Sequence, residues 1–325
     1  MKNLNIILFL SGALFLLTTF SCKKEKSADP DPGKVSQFES DKQLVSITVG
    51  ATATGFNAIF AGMITDSVDR VNFCRVYTDP IRYFADLSGY FFIEDFNGWN
   101  IAYPTNKNLV GKYLWDLTDP QGNFFIRTMC DTAKNKGHGF VEYYWNNPAT
   151  GADEKKMSYV QALSGINYFV GSGFYIRSSE PSLTPLESNM DASKNVTLST
   201  AEGFGGVFEN IFKDSAAQVQ FIRLFNDSIR FFSNHSGYFF VVDLDGNCLA
   251  NAASKSLEGT SVYDLQDSKG TYFIREMILL AKNPGFGFEE YYWKNPSTST
   301  DEKKISYVHR IPGTDYFIGA GVYIE

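Results

Sequence analysis

The sequence predicts an α+β protein made of two tandem copies of one unit, each a long amino-terminal helix followed by an antiparallel sheet. The first observation is an internal repeat: residues 89–176 align with 237–324 at a constant shift of 148 without a gap, and 45 of these 88 positions are identical. Self-similarity at a fixed offset is the signature of a duplicated structural unit. The second observation is the order of patterns within each copy, helical periodicity first and strand-like runs afterwards, which is typical of α+β folds.

The elements of each unit follow in the same order. Runs at about 36–85 and 186–233 place apolar residues three and four positions apart, which predicts helix. Next, "GYFFIEDFNGWNIAYP" predicts a hairpin with its turn at Asn97–Gly98, and Asp245–Gly246 gives the same signal in the second copy. A short amphipathic helix, "FFIRTMCDTAK", precedes three closing strands, "GFVEYYW", "KKMSYVQAL" and "NYFVGSGFYI". We therefore expect helix, hairpin, helix and a three-strand meander in each unit.

The beginning of the chain reads as a targeting segment. Residues 1–22 have the layout of a secretory signal, with an apolar stretch too short for a comfortable membrane span. The stretch ends in "TFSC", which resembles a bacterial lipobox and predicts lipidation of Cys22; an ordinary cleaved signal is the alternative. Residues 23–34 are polar and proline-bearing and predict a flexible tether. Two domains are then expected, at 35–178 and 179–325.

Composition narrows the range of partners. The formal net charge is −7, so the chain lacks the basic footprint of a nucleic-acid-binding protein, and no nucleic acid partner is expected. Only three histidines are present and no metal-ligand spacing occurs, so we expect neither a metal nor another cofactor. No apolar run after the signal is expected to span a bilayer. The resulting expectation is an extracytoplasmic protein that meets the membrane through its lipid anchor alone, with the outer membrane favoured by the lysine that follows Cys22.

The other cysteines do not form a disulfide framework, because Cys74, Cys130 and Cys248 are three in number. The repeat replaces Cys74 and Cys130 by Ile222 and Ile278, so both positions predict buried apolar sites. Two buried thiols are expected there, with a Cys74–Cys130 bridge as the alternative.

Several ordered strings then resemble a known family. "GYFFVVDLDG", "FIREM", "GFEEYYWKNP", "KKISYV" and "GAGVYI", with their counterparts in the first copy, resemble the Cache family, and more narrowly its single Cache type 2 domains of bacterial chemoreceptors and sensor kinases. The resemblance covers both repeats almost completely. It implies two tandem PAS-like sensor domains whose sheets hold a small ligand, commonly a short organic acid such as acetate, propionate or pyruvate.

The repeated strands offer candidate ligand-binding residues. Because side chains alternate along a strand, Tyr143 and Trp145 share one face of "EYYW", and Lys156 shares a face of "KKMSYV" with Ser158. A lysine that points inward needs an anion, and a bound carboxylate would supply one. Short-helix arginines could clamp the same carboxylate, or instead pair with a local acid. The candidate set is Tyr143, Trp145, Lys156 and Arg127 in the first unit and Tyr291, Trp293, Lys304 and Arg275 in the second.

Structural roles stay open as alternatives to ligand binding: the aromatic residues could pack in the core, and the lysines could lie on a solvated surface. The two copies also differ after the second strand, where the first has "AYP" with Tyr103 and the second has "ANA" with Asn251. The sequence does not decide which unit binds a ligand.

The function expected from these features is a lipid-anchored, extracytoplasmic protein that captures a small organic acid and passes ligand or signal to a separate signalling or transport partner. The alternative is a structural or adaptor lipoprotein that binds another protein through degenerate Cache domains. An enzyme is not expected, because no nucleophile elbow, metal constellation or acid–base pair occurs at a convincing spacing.

Overall fold

The computed structural model describes residues 33–177 and 181–324. The signal segment, Cys22 and most of the predicted tether lie outside these ranges, as does the proposed domain boundary at 178/179. The helices and strands of the first unit are α1 (Gln37–Gly62), α2 (Ser67–Thr78), β1 (Phe91–Asp95), β2 (Asn100–Ala102), α3 (Phe125–Lys136), β3 (His138–Asn146), β4 (Asp153–Ala162) and β5 (Tyr168–Tyr175). Those of the second are α4 (Pro185–Asn210), α5 (Ser215–Asn226), β6 (Phe240–Asp243), β7 (Cys248–Asn251), α6 (Phe273–Lys282), β8 (Phe286–Lys294), β9 (Asp301–Arg310) and β10 (Tyr316–Tyr323).

The predicted α+β class and tandem repeat are confirmed. Each unit holds one five-stranded antiparallel sheet, in the order β2-β1-β5-β4-β3 and β7-β6-β10-β9-β8. The predicted hairpin turns are present, and Gly98 and Gly246 adopt φ angles of 86° and 87°, which residues with a Cβ rarely tolerate.

The amino-terminal helical run differs from the prediction, because it is two helices in each unit. Asp66 is the N-cap of α2, and its carboxylate accepts hydrogen bonds from the amides of Val68 and Asp69. Asp214 caps α5 in the same way. An aspartate that accepts from these amides satisfies donors that have no partner inside the helix, so it favours a new helix start.

Strand alternation divides each sheet into an inner and an outer face. In the first unit Phe91 and Ile93 point to the inner face and pack with α1, whereas Phe92 and Phe169 point to the outer face and pack with α3. The inner faces of both units contribute to one hydrophobic core, and each outer face has a separate core of its own.

The shared core is a helical seam in which α1 packs beside α4, α1 against α5, and α2 against α4. Residues that are equivalent in the repeat meet each other across it, so an approximate two-fold axis relates the units. The equivalent pairs are the backbone bridge Val35–Leu183, the Ser40–Ser188 hydroxyl hydrogen bond of 2.8 Å, and the ring pairs Phe73–Phe221 and Tyr77–Phe225.

Helix α1 corrects the expectation that no apolar run after the signal could span a bilayer. By length and mean hydropathy of 1.5 its most apolar window meets that criterion, but 61% of the window is buried within the protein. A helix that is covered by the protein on several sides is apolar because it belongs to the core, so its composition does not require a membrane.

The three cysteines within the described ranges are free thiols. Cys74 lies in the seam and Cys130 lies in the outer core of the first unit, on the other side of the sheet, and both are buried as the repeat predicted. Burial raises the pKa of Cys130 to about 12, so the thiol stays protonated.

Candidate functional site

An outer cavity lies in each unit between the sheet and the cover formed by the short helix and the loop before it. Asp119 fastens this loop to the sheet in the first unit: its carboxylate accepts from the amides of Gln121 at 2.9 Å, Asn123 at 2.8 Å and Tyr144 of β3 at 3.1 Å. Burial opposes the charge, yet these hydrogen bonds outweigh it and lower the pKa of Asp119. Asp267 has the matching role in the second unit, with the amides of loop and β8 as donors.

In each unit the strand register places a lysine between two tyrosines, in one row across three neighbouring strands of the outer face. Lys156 is directly opposite Tyr143 on one side and Tyr175 on the other. Lys304 is opposite Tyr291 and Tyr323 in the same way. Directly opposed residues in an antiparallel sheet share a face, so each lysine points toward its outer core and not toward solvent.

Each of these lysines is completely buried among aromatic rings. Lys156 is 0% exposed, and its Nζ lies 3.8 Å from the ring centroid of Tyr90 and 4.8 Å from that of Tyr175. Lys304 is also 0% exposed, with its Nζ 4.0 Å from the centroid of Tyr238 and 4.9 Å from that of Tyr323. An ammonium above a ring face is stabilised by the ring quadrupole, and this attraction strengthens when water is excluded.

Neither ammonium makes a well-aligned hydrogen bond to a described residue, and its polar neighbours are the phenol of Tyr90 in the first unit and that of Tyr238 in the second. Burial lowers the pKa of Lys156 and of Lys304, and the phenols of Tyr90 and Tyr238 partly offset that effect. A buried charge that lacks a partner is costly, so this position favours the binding of an anion.

The predicted aromatic residues form a wall beside the lysines. Tyr143 is buried, its hydroxyl lies 2.9 Å from the hydroxyl of Ser158, and its ring stacks on Phe125 at 4.6 Å with a 2° angle between the planes. Tyr291 repeats this arrangement with Ser306 and Phe273. Trp145 and Trp293 follow two residues later on the same face, are partly buried, and line the cavities.

The two predicted arginines lie elsewhere. Arg127 pairs with Asp116, donates from Nε to the carbonyl of Trp115 at 2.9 Å, and stacks over Phe124. Arg275 likewise pairs with Asp264, and neither guanidinium lines either of the two outer cavities. Both arginines therefore form the local ion pairs that were the alternative to ligand binding. Their positions do not support a role in binding a ligand, which stays a prediction.

The cavities differ in size. The second measures about 30 Å³ and the first about 10 Å³. The side chains around the second cavity are mainly apolar, and they are Tyr238, Phe240, Val242, Cys248, Asn251, Leu257, Val262, Leu265, Phe273, Ile274, Tyr291 and Trp293. Lys304 is not itself in this wall; it contacts the cavity through the ring of Tyr238.

Sequence reasoning missed some residues of the site. Tyr90 and Tyr238 are buried core residues whose rings cover the lysines, and Tyr175 and Tyr323 are brought beside the lysines by pairing between strands. Glu94 was also missed.

Glu94 lines the first cavity, is 1% exposed, and has its pKa raised by burial to about 8. Its counterpart in the repeat is Val242, and an acid that aligns with a valine is a signal of a buried position. Within the described ranges no group of three histidine, cysteine or acidic residues could hold a metal ion.

Comparison with known proteins gives matches over both units. The family model dCache_2, described as a Cache domain, matches residues 77–185 and 185–325. The sensor histidine kinase MctS of Rhizobium johnstonii is 40% identical over 88 residues, which is 27% of this chain and 19% of the kinase. The methyl-accepting chemotaxis protein McpP of Pseudomonas putida is 28% identical over 110 residues, 34% of this chain and 20% of that protein. The chain therefore spans about a fifth of the length of these curated relatives.

Solved structures give similar matches. A structure described as the periplasmic sensor domain of a chemotaxis protein matches with a TM-score of 0.39 and 24% identity, covering 43% of this chain and 98% of that one. Another, titled for carboxylic acid recognition by a Cache chemosensory domain, matches with a TM-score of 0.36 and 26% identity, covering 43% and 95%.

Proposed function

The chain belongs to the Cache domain family, whose members are extracytoplasmic sensor domains, and on that premise we propose that it captures a short organic acid through a buried lysine. The observation that carries this proposal is an ammonium that is 0% exposed, surrounded by rings, and without an anionic or well-aligned hydrogen-bond partner among the described residues. A carboxylate is the anion that best fits a lysine between phenol hydroxyls, because it accepts charge-assisted hydrogen bonds from both kinds of donor.

The surroundings of the lysine supply the rest of such a site. The phenol of Tyr90 or Tyr238 interacts with the ammonium, and the faces of Phe273 and Trp293, or of their counterparts in the first unit, would enclose the apolar part of the guest. Small-molecule sites are typically apolar cavities with a few polar groups that fix orientation.

Signalling and anchoring complete the proposal. The curated relatives are a sensor kinase and a chemotaxis protein, so we propose that occupancy of this chain is communicated to a separate signalling or transport partner. Lipidation of Cys22 and attachment to the outer membrane are part of the same proposal, which cell fractionation and mass spectrometry of the mature amino terminus test.

One observation favours the adaptor alternative. Trp99 and Tyr113 form a ring pair at 5.5 Å on the first unit and are 47% and 50% exposed, whereas the second unit has Asn247 and Ser261 at these positions. Exposed aromatic pairs are frequent at protein interfaces, so this surface is where an adaptor would meet its partner.

The lysines give the direct test. Calorimetric titration of the purified protein with acetate, propionate, butyrate and pyruvate should show binding, and the double variant Lys156→Met/Lys304→Met should lose it, with affinity falling by roughly 10-fold or more because a charged hydrogen bond contributes about 1.5–3 kcal/mol. The matched control is Lys155→Met/Lys303→Met. These adjacent lysines point to the opposite face, where they pair with Glu142 and Glu290 on the surface, and their loss should leave binding unchanged.

Absence of heat and of a thermal shift with every acid would overturn the proposal, as would equal losses in the double variant and the control. Removing a buried charge is not expected to unfold the protein, because hydrophobic replacement of buried ions is often neutral or stabilising.

A further inference from the structure

We infer that the two units have divided roles: the second unit receives the acid, and the first is closed by its own Tyr103. This inference rests on the proposed function and assigns it to one of two lysine sites that are otherwise alike. Two differences between the cavities carry it, one of volume and one of an ionisable side chain in the lining.

The first difference is a side chain that fills the first cavity. Tyr103 is 7% exposed and donates to, or accepts from, the hydroxyl of Tyr90 at 2.9 Å. Its ring lies 6.4 Å from Phe92, which it stacks against, and 6.2 Å from Trp145. Tyr103 thereby occupies the space between the predicted tryptophan wall and the tyrosine that covers Lys156.

The second unit has Asn251 at the equivalent position, and this shorter side chain turns toward its own backbone. Its Oδ1 accepts from the amide of Ala253 at 3.1 Å and from that of Ser254 at 2.8 Å. The space that a phenol takes in the first unit is left to the cavity, which explains the difference between about 30 Å³ and about 10 Å³. One water needs about 10–15 Å³ by the same kind of measure, so only the second cavity clearly exceeds this minimum.

The second difference is an ionisable side chain. Glu94 lines the first cavity with a buried carboxyl whose Oε2 has no partner among the described residues. Burial holds this carboxyl in its neutral form, and an anionic guest in the first cavity would lie beside a group that repels it whenever the carboxyl ionises. Val242 takes this place in the second cavity and presents only methyl groups.

The lining of the second cavity also restricts the class of acid. The described residues that line it include no charged side chain. The lining therefore offers no charged side chain to pair with a second carboxylate or with an amino group. The geometry therefore fits an aliphatic monocarboxylate, with its tail against Val242, Val262 and Ile274. A guest of this size needs more room than the cavity now has, and an outward movement of the partly exposed Trp293 would provide it.

Stoichiometry of propionate binding tests the inference. Calorimetry of the wild-type protein should give one site per chain. Asn251→Tyr should remove that site, and Tyr103→Asn combined with Glu94→Val should raise the number of sites to two. Circular dichroism and thermal unfolding establish that each variant is folded.

The single lysine variants give a second measurement that does not depend on changes of cavity shape. Lys304→Met should weaken propionate binding at least 10-fold, whereas Lys156→Met should change it less than twofold. Succinate and alanine should bind at least 10-fold more weakly than propionate.

Outcomes separate this inference from the proposed function. Two sites in the wild-type protein, or a larger loss from Lys156→Met than from Lys304→Met, would overturn the division of roles while leaving acid binding intact. Retained single-site binding in folded Asn251→Tyr would do the same. Absence of binding by any acid would overturn both.

Discussion

The first and second units agree at the buried lysine and differ at the cavity beside it. Lys156 and Lys304 are both 0% exposed, each opposite two tyrosines in neighbouring strands. The cavities diverge through Tyr103 and Glu94 in one unit and Asn251 and Val242 in the other. The comparison teaches that the same buried lysine can lie beside cavities that differ in volume and in lining.

The location of the cavities explains how such divergence is tolerated. Each lies in the separate outer core of its unit, so a change in one leaves the other unaltered. The seam has no such freedom, because equivalent residues such as Tyr77 and Phe225 contact each other and both units depend on them.

The largest expected effect concerns Glu94, which distinguishes the first cavity. Burial raises the pKa of this carboxyl to about 8, against about 4.3 in an unfolded chain, so the folded state holds the proton more tightly. The stability contributed by this carboxyl is therefore complete below about pH 4.3. It falls by about 1.4 kcal/mol per pH unit as the pH rises from about 4.3 to about 8, and the total loss is on the order of 5 kcal/mol. Glu94→Gln should remove this slope, so its stability advantage over the wild type should grow with pH.

Urea unfolding of both proteins at pH 5, 6.5 and 8 measures this difference. Other titrating groups, including Glu289 with its pKa raised by burial to about 7, cancel in the comparison. Val242→Glu, the reciprocal change, should introduce a similar slope through the second unit. Parallel stability curves for wild type and Glu94→Gln would contradict the assignment of a buried, neutral carboxyl to the first cavity.

A smaller effect is expected at the seam, where the units should respond alike. A Cβ on Gly203 would lie 2.6 Å from the ring of Tyr77, and one on Gly55 would meet the ring of Phe225. Both rings are buried and cannot move aside, so Gly203→Val and Gly55→Val should each destabilise the protein by about 3 kcal/mol.

Calorimetric unfolding should show one transition for the whole protein in both variants, because the core is shared. The control is Gly50→Ala on the same helix as Gly55, where a Cβ meets only the Gln161 amide oxygen at 3.5 Å and a small gain in stability is expected. Two separate transitions, only one of them shifted, would mean that the units unfold independently.

The smallest expected loss of stability is at the two aspartates that hold the cover loops to the sheets, and these residues also allow a sharper comparison of the two units. Asp119→Ala and Asp267→Ala should each cost about 2 kcal/mol, because either change leaves backbone amides without an acceptor. The pKa of both carboxyls is lowered by these hydrogen bonds despite burial, so the stability they contribute is present above about pH 4 and is lost as the pH falls.

Thermal unfolding at pH 7 and pH 3 should therefore show wild type and variants converging in acid. Propionate titration adds the distinction between units: Asp267→Ala should weaken binding by loosening the cover of the second cavity, and Asp119→Ala should not. Equal weakening by both would contradict the division of roles.

The sequence by itself determined the larger architecture. The gapless repeat established two units, and periodicity gave the amino-terminal helical region, the hairpin, the short helix and the meander of each, because these signals are local and depend on side-chain spacing alone. It did not show that the amino-terminal region is two helices. Alternation also placed Tyr143 with Trp145 and separated Lys155 from Lys156. Alternation could not show which face of the sheet is buried under the short helix, because the side chains of both faces repeat with the same period.

Tertiary packing decided the rest. The short helix buries the face that carries Lys156, whereas Lys155 stays at the surface with Glu142. The approach of Tyr90 to that lysine follows from contacts between distant segments. The same holds for the position of Tyr103 in the cavity and for the meeting of equivalent residues in the seam. Long-range contacts of this kind leave no periodic trace in one sequence, since the free energy of burial depends on what lies opposite in space and not on what lies adjacent in the chain.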